Sequence, residues 1–406
     1  MKTFFKNSII TFSFIMMCVI FTNNISFSAT DTLDATADNT LYQSDFGSLS
    51  NAKGQYFFTG TTLSNLIRRG VISFNVANSI PPGAVITDVK LELHMSKTIS
   101  DSKRVKLFKI TKGWTEGTST ANGEEGGGIG SQTSDVTWIH TYYNNVFWNN
   151  AGGDYDANES ASANVDQIGY YTWNTAQMVT DVQNWIDGNS PEYGWAVIGD
   201  ESDFGTAKRF DSRENSNAAF RPKLIISYTF SGVALNLKVL NQGLYENGVA
   251  VSDTFRVYLR SSSSPYAVVD SSIAYHNTES WFVFNNAASG NYYIEVNQRN
   301  SINTWSSLPQ NFTNGSPFTN YDFTASVTKA FGNNQILESG VAAIYSGDVN
   351  KDGFVNLSDV LIVYNGAVAF ETGYVPGDVN GNNIVDLADL LITYNNATAF
   401  VTEITP

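Results

Sequence analysis

Two copies of a 24-residue segment lie near the end of the chain, and they limit its possible folds more than any other feature. Residues 347–370 read GDVNKDGFVNLSDVLIVYNGAVAF and residues 377–400 read GDVNGNNIVDLADLLITYNNATAF, with 14 identities in 24 positions. Each copy begins with an acidic, Asn-rich loop and continues as an apolar stretch with helical spacing. We therefore predict a small C-terminal unit built from two loop–helix halves.

Oxygen-bearing side chains recur in each loop at positions 1, 3, 5, 9 and 12, counted from its first Asp. Calcium is a hard cation that takes about six to eight oxygen ligands, and a twelve-residue loop supplies them at this spacing, with a main-chain carbonyl at position 7. We therefore predict two Ca²⁺ ions as cofactors; the alternative is that the loops are ordinary Asp-Asn-Gly turns. The predicted ligands are Asp348, Asn350, Asp352, Phe354, Asn356 and Asp359 in the first loop, and Asp378, Asn380, Asn382, Ile384, Asp386 and Asp389 in the second.

Position 6 of each loop must turn sharply to bring both halves of the loop around the ion. Gly353 suits this position, and Asn383 in the second copy tolerates a left-handed conformation better than most residues. Position 12 is Asp rather than the Glu of a regulatory calcium hand, and a helix-like stretch follows each loop while none clearly precedes it.

This arrangement resembles a type I dockerin over residues 347 to about 400. The resemblance implies a fold around two calcium ions and a cohesin-like protein partner. In that family, loop positions 10 and 11 help to select the partner. Here they are Leu357-Ser358 and Leu387-Ala388, in place of the hydroxyl pairs common among cellulosomal dockerins. A structural, calcium-dependent cap that packs on the adjacent module is the alternative.

The first 28 residues have the build of a secretory signal peptide. Lys2 and Lys6 precede an apolar run over residues 9–21, and small residues follow at 26–28, so cleavage is expected near Ser28 or Ala29. The only cysteine, Cys18, lies in this leader, so no disulfide is expected in the mature chain. We expect a secreted protein, extracellular or associated with the cell surface, whose mature chain does not span a membrane.

The charge balance argues against nucleic acid as a partner. Lys and Arg together number 23, whereas Asp and Glu number 38, so the formal net charge is −15. Binding to phosphates requires a positively charged surface. An acidic exterior equally suits solvated loops or calcium sites.

The remaining sequence predicts a mainly β fold in two regions before the calcium unit. Short alternating runs separated by Gly, Pro and Asn are typical of antiparallel sandwiches. We expect a jelly-roll-like sandwich over residues 30–230, a second small β-sandwich as a spacer over 231–345, and a small α-helical domain with paired calcium loops over 346–406.

One helix is predicted in the first region, over residues 175–188. Met178, Val182 and Trp185 recur at helical spacing and share one face. That face is expected to close one end of the sandwich, against core-facing side chains on flanking strands. The expected core-facing residues are Trp173, Trp195 and Val197.

The stretch YYTWNTAQMVTDVQNWIDGNSPEYGWAVIGDESDFGTAKRFDSREN, with RPKLIISY after it, resembles the DNRLRE domain. The similarity spans almost all of the first region, and AKRFDSREN at residues 207–215 is its most specific part. The resemblance implies an extracellular, jelly-roll-like carbohydrate-binding module and a polysaccharide partner.

Residues 135–156 concentrate aromatic side chains among Asn and Gly, as sugar-binding surfaces do. From this segment and the DNRLRE-like motif we take Tyr142, Tyr143, Trp148 and Arg209 as candidate carbohydrate-binding residues. Two alternatives stay open. Trp138 and Trp148 would instead be loop anchors buried against the sheet, and the charged residues of the motif, Arg209, Asp211, Arg213 and Glu214, would form an internal salt-bridge network.

The sequence favours a non-catalytic protein and identifies no catalytic residue, although it leaves a polysaccharide-degrading enzyme open. A lyase would use His140 and Tyr142, which project from one side of a strand. A glycosidase would need two carboxylates at a suitable separation. Its candidates are Asp154, Asp156, Glu159, Asp200, Glu201 and Asp203.

These features together predict a secreted, modular protein that binds polysaccharide and attaches or assembles through its calcium unit. A component that degrades polysaccharide and a purely structural surface or matrix protein are the two alternatives.

Overall fold

Short strands make up most of the chain, and the predicted mainly β fold is confirmed. The computed structural model describes residues 26–246, 248–315 and 318–406. Residues 1–25 of the predicted signal peptide lie outside the described residues, and residues 26–28 begin the first strand.

Eleven strands of the first region form one connected sheet, whose two halves meet at the fourth strand and pack around a common core. Strands run in the order β1-β15-β6-β14-β4-β5-β13-β7-β11, with β12 beside β6 and β2 beside β5. The strands are β1 (Ser26–Asp34), β2 (Ala37–Tyr42), β3 (Leu49–Ser50), β4 (Tyr56–Thr61), β5 (Ile67–Ser73), β6 (Val85–Thr98), β7 (Lys103–Ile110), β8 (Ile129–Gly130), β9 (His140–Tyr142), β10 (Val146–Phe147), β11 (Tyr155–Val165), β12 (Gly169–Trp173), β13 (Trp195–Ile198), β14 (Lys208–Asp211) and β15 (Lys223–Ser231).

Two α-helices lie in this region, α1 (Val76–Ser79) and α2 (Ala176–Ile186). The predicted helix is confirmed as α2, which begins after the N-cap Thr175, whose hydroxyl accepts a hydrogen bond from the Met178 amide. Met178, Val182 and Trp185 are buried, and they pack into one core together with the predicted Trp173, Trp195 and Val197.

The second region begins after Gly232 and folds as a smaller sandwich. One sheet has the order β21-β16-β25 and the other β20-β19-β22-β23, with β24 beside β22. Between them lies a core that includes Leu235, Val257 and Phe282. The strands are β16 (Val233–Lys238), β17 (Tyr245–Glu246), β18 (Val249–Ala250), β19 (Asp253–Ser261), β20 (Val268–His276), β21 (Glu279–Phe284), β22 (Gly290–Gln298), β23 (Thr304–Trp305), β24 (Gln310–Phe312), β25 (Thr319–Asp322), β26 (Ile336–Glu338) and β27 (Val341–Ala343).

Aromatic rings join the first sandwich to the second. Phe318 lies 5.5 Å from Phe230 and 5.6 Å from Trp281 between ring centroids, and it stacks near Tyr228. Ala234 of β16 belongs to the core of the first sandwich although its strand belongs to the second. The outer face of β16 is therefore partly covered by the first sandwich.

The third region contains two twelve-residue helices, α3 (Leu357–Val368) and α4 (Leu387–Thr398). Each begins with a capping box, Asn356 with Asp359 and Asp386 with Asp389, in which both carboxylates accept main-chain amide hydrogen bonds. A small apolar cluster lies between the two halves. Three short 3₁₀ helices complete the described elements, at Ala218–Phe220, Val327–Lys329 and Phe331–Asn333.

No helix within the described ranges is long and apolar enough to cross a membrane.

Candidate calcium loops and carbohydrate-binding surfaces

The first acidic loop folds around its own buried carboxylates. Asp348 is 1% exposed, and its two oxygens accept hydrogen bonds from the amides of Asp352 and Gly353, both at 3.1 Å. Asp359 is fully buried and accepts from the amides of Val349 (3.0 Å) and Asn350 (3.2 Å). Burial raises the pKa of Asp348 to about 6, because the ionised form loses its water.

The second loop repeats this arrangement with one difference. Asp389 is fully buried and accepts from the amides of Val379 (2.8 Å) and Asn380 (2.9 Å). Asp378 is 1% exposed; its Oδ2 accepts from the amide of Asn383 at 3.2 Å, whereas its Oδ1 is buried without a hydrogen-bond partner among the described residues. Burial also raises the pKa of Asp389.

The position 6 turn has the predicted conformation in both loops. Gly353 has φ 85° and Asn383 has φ 68°, both in the left-handed region. A substitution with a β-branched residue at either position would strain the turn.

Two observations indicate that these loops are suited to hold calcium. The predicted donors are all hard oxygens from carboxylates, carboxamides and main-chain carbonyls, which is the donor set that calcium prefers. The unpartnered Oδ1 of Asp378 is a buried acceptor that a cation would satisfy. In the part of the chain that the structure describes, no cluster of three or more His, Cys, Asp or Glu side chains forms a metal site by itself. Asn side chains and carbonyls would therefore have to complete each set.

A turn of the second sandwich, residues 298–303, contacts both loops; we call it the joint turn. Asn300 donates from Nδ2 to the carbonyl of Asp378 at 3.0 Å. Arg299 donates to the carbonyl of Val375 and approaches Asp378 Oδ2 at 3.5 Å. Lys351 of the first loop donates to the carbonyls of Gln298 (3.0 Å) and Ser301. The two acidic loops are therefore held by the sandwich on one side.

A second set of contacts reinforces this arrangement at the end of α4. Asn396 is 3% exposed and donates to Gln242 Oε1 and to the carbonyl of Ser346, both at 2.7 Å. The backbone at Gly243 approaches the second loop so closely that a Cβ there would lie 2.4 Å from the carbonyl oxygen of Val379. Only glycine permits this approach.

The opposite faces of both helices carry exposed apolar side chains in matching positions. Leu357 is 76% exposed and Leu387 74%, and the residues that end the two copies, Phe370 and Phe400, are 85% and 86% exposed. A hollow of about 440 Å³ lies between the first loop and the end of α4, lined mainly by apolar groups that include Tyr394. Leu357 and Phe400 both line this hollow, and exposed apolar groups gathered in this way are typical of interaction sites.

The predicted carbohydrate-binding residues of the loop segment differ in their exposure. Tyr142 and Tyr143 are half-buried, and Tyr143 packs edge-on to His140 at 5.3 Å between ring centroids. A correction concerns Trp148. It is 6% exposed, and its indole Nε1 donates to the carbonyl of Thr137 at 3.0 Å, so it anchors the loop and presents no platform to solvent. Trp138 is buried in the same cluster.

Arg209 lies in an ion-pair network on β14. Its guanidinium stacks over Tyr56 at 3.8 Å and donates to Glu124 at 2.8 Å and to Ser96 at 3.1 Å. Arg209 also lines a hollow of about 330 Å³ beside Lys97. In the described ranges it makes no contact with Tyr142 or Tyr143, so the structure does not bring the predicted set together.

The other charged residues of the DNRLRE-like motif are also paired internally. Asp211 accepts from His94 Nδ1 at 2.5 Å, and Arg213 makes a two-point contact with Glu116, both bonds at 2.6 Å. Glu214 lies 2.9 Å from Arg213. This is the internal network that the sequence left open as an alternative.

The carboxylates considered for a glycosidase all have partners within the protein. Glu201 pairs with Arg69 through two bonds of 2.8 Å, and Glu159 pairs with Arg104 at 2.6 Å. Asp154 is 6% exposed and accepts main-chain amides of its own loop. The remaining three, Asp156, Asp200 and Asp203, accept amides one or two residues further along the chain.

The lyase pair is not placed for base catalysis on an open surface. His140 is 4% exposed, its Nδ1 lies 3.0 Å from the hydroxyl of Thr137, and burial lowers its pKa.

Sequence reasoning missed the joint turn, and it missed the contact of Gln242 with Asn396. Asn300 is separated from Asp378 by 78 positions, and QRNSIN at 298–303 has the composition of an ordinary turn. No spacing rule connects the two, because the contact depends on how the sandwich packs against the loops.

No family model and no curated protein matches the chain. Two matching solved structures are mutants of a type II cohesin–X–dockerin complex from Acetivibrio cellulolyticus, one altered at its C-terminal interface and one at its N-terminal interface. They are 14% and 15% identical, and each match covers 42% of this chain and 100% of the other, with a TM-score of 0.27.

Proposed function

We propose that this chain is a secreted, non-catalytic, modular protein that binds polysaccharide through its first sandwich and attaches to a cohesin-like partner through its calcium unit. The observation that carries the proposal is the division of the calcium unit into two sides. Its loops are fastened to the second sandwich at the joint turn, whereas the apolar faces of α3 and α4 stay exposed.

The duplicated apolar residues support a docking role. Leu357 and Leu387 occupy the first position of α3 and of α4, at equivalent places in the two copies. Each is more than 70% exposed, and burying one large aliphatic side chain against a partner contributes about 1.5–3 kcal/mol. Phe370 and Phe400 add exposed aromatic rings, a residue type that often anchors protein interfaces.

The docking proposal is tested with the full chain and immobilised type I and type II cohesin domains. We expect retention in the presence of calcium and release by EGTA. Absence of retention on every cohesin tested, from protein shown to bind calcium, would refute docking.

Polysaccharide binding by the first sandwich is supported by the partly exposed rings of Tyr142 and Tyr143 and by the hollow beside Arg209, where charged side chains border an apolar floor. Affinity gels that contain acidic or neutral polysaccharides should retard the full chain. Tyr143→Ala or Arg209→Ala should reduce the retardation, whereas Tyr364→Ala, an exposed tyrosine on α3, should not. Unsaturated products that absorb in the ultraviolet would instead identify a lyase.

The structural cap is a second candidate, and the buried contacts of Asn396 and Lys351 with the sandwich favour it. Binding to immobilised cohesin distinguishes a cap from a docking unit. Calcium removal would loosen the sandwich in both cases, but a cap alone would bind no cohesin.

A further inference from the structure

A polar groove crosses the outer face of the sheet β21-β16-β25 in the second sandwich. Residues paired directly on neighbouring strands point to the same face. Asn236 pairs with Trp281 on one side and with Asn320 on the other, which gives one row across the three strands. Lys238 pairs in the same way with Glu279 and Asp322 in the next row.

Two adjoining hollows form this groove and share Asn236 and Glu279. Their volumes are about 430 and 580 Å³, within the usual range of about 300–1,000 Å³ for ligand sites. The larger hollow lies at the boundary with the first sandwich. There the indole Nε1 of Trp281 donates to the carbonyl of Asn78 at 3.0 Å and fixes the wall.

Asn236 is the residue that indicates a ligand. It is only 9% exposed, it lines both hollows, and no described residue forms a hydrogen bond with its side-chain amide, which therefore meets only the solvent of the groove. A ligand hydroxyl that exchanges hydrogen bonds with this amide in place of water contributes about 0.5–1.5 kcal/mol. Because Asn236 lines both hollows, such a ligand would lie across the middle of the groove.

The groove is electrically balanced and offers side-chain rather than main-chain hydrogen bonds. Lys238 lies 3.3 Å from Glu279, and Lys329 faces the same hollow as Asp322. β16 is paired on both sides, so its main chain cannot accept a peptide as an added strand. Side-chain amides at the centre of the groove suit a ligand with many hydroxyl groups. The ring of Tyr275, which is 75% exposed at the rim, suits the apolar face of a sugar ring.

We propose that this groove binds a neutral oligosaccharide, at a second carbohydrate site separate from the one proposed on the first sandwich. The site lies on the module that the sequence indicated only as a spacer. It does not depend on calcium or on a cohesin partner.

The test is isothermal titration of the full chain with cellohexaose, xylohexaose and mannohexaose. We expect at least one to bind, and Asn236→Ala and Tyr275→Ala each to weaken that binding about ten-fold. Asn311→Ala is the matched control. Asn311 is an exposed residue of the same sandwich whose amide already bonds Asn291 at 3.1 Å, so its loss should not change the affinity.

The variants also separate the two carbohydrate sites. Tyr143→Ala and Arg209→Ala should leave binding in the groove unchanged. The proposal is overturned if none of the three hexasaccharides binds, or if binding is lost in Tyr143→Ala and kept in Tyr275→Ala. Tyr275 is largely exposed, so its replacement keeps the fold and decides the matter even if Asn236→Ala does not fold.

Discussion

The side-chain amide of Asn300, in the second sandwich, donates a hydrogen bond to the main-chain carbonyl of Asp378, the first residue of the second calcium loop, at 3.0 Å. Both residues are buried. The contact fixes the backbone that carries a predicted ligand, as the outer hydrogen bonds of a metal site do. We therefore expect Asn300→Ala to weaken calcium binding at the second loop about ten-fold.

Calcium titration of the full chain by calorimetry measures this effect. Asn311→Ala, on the same sandwich but away from the loops, should titrate as the unmodified protein does. Equal affinities for all three proteins would show that the sandwich does not position the loop.

Asp359 and Asp389 occupy position 12 of the two loops, and each should account for one ion. Asn at this position keeps one oxygen for the capping amides but removes the negative charge that holds calcium. We expect Asp359→Asn and Asp389→Asn each to reduce the stoichiometry from about two ions to one, measured by calorimetry. Asp203→Asn, an exposed carboxylate of the first sandwich, should keep both sites. Two sites in all variants would disprove the ligand assignment.

Leu357 and Leu387 should matter for docking and little for folding. Because both are mostly exposed, Leu357→Asp with Leu387→Asp should change the free energy of unfolding by about 1 kcal/mol or less. Calcium binding should persist, and retention on cohesin should be lost. Leu63→Asp, 74% exposed on the first sandwich, should retain docking. A double variant that still docks would place the partner elsewhere.

Trp148 should contribute to stability rather than to ligand binding. Because Trp148 is buried and bonds to Thr137, we expect Trp148→Ala to lower the free energy of unfolding, measured in urea, by about 3–5 kcal/mol. Tyr143→Ala, at a half-buried ring nearby, should cost about 1 kcal/mol. If Trp148→Ala and Tyr143→Ala lowered the free energy of unfolding by similarly small amounts, the anchor role of Trp148 would be contradicted.

His276 predicts a pH dependence of stability. It is fully buried, its Nδ1 has no partner among the described residues, and burial lowers its pKa below the ordinary value of 6.5. Below about pH 6.5 the unfolded chain therefore binds a proton at His276 that the folded chain does not. The free energy of unfolding consequently decreases as the pH falls below that value. Between about pH 7.5 and pH 5.5, the urea midpoint should fall further in the unmodified protein than in His276→Gln. Parallel pH curves would exclude His276 as the cause.

Local periodicity predicted the elements of the fold that depend on neighbouring residues. Met178, Val182 and Trp185 indicated α2 because their spacing matches one helical face, and the alternation of PKLIISYTF matches the alternating burial along β15. The left-handed turns at Gly353 and Asn383 followed from the same kind of local rule.

Contacts between distant segments were beyond such rules. The row formed by Asn236, Trp281 and Asn320 exists only because three strands pair in one register. The aromatic residues of 135–156 showed composition but not direction, so anchors such as Trp148 could not be distinguished from exposed rings.

The joint turn has a mechanical consequence. Lys351 connects the first loop to the sandwich and Asn300 connects the second, while the main chain passes between the domains at Ser346. A force on the outer faces of α3 and α4 would therefore load the covalent connection and these loop contacts in parallel. The two sandwiches and the C-terminal helical unit would then move as one lever under load.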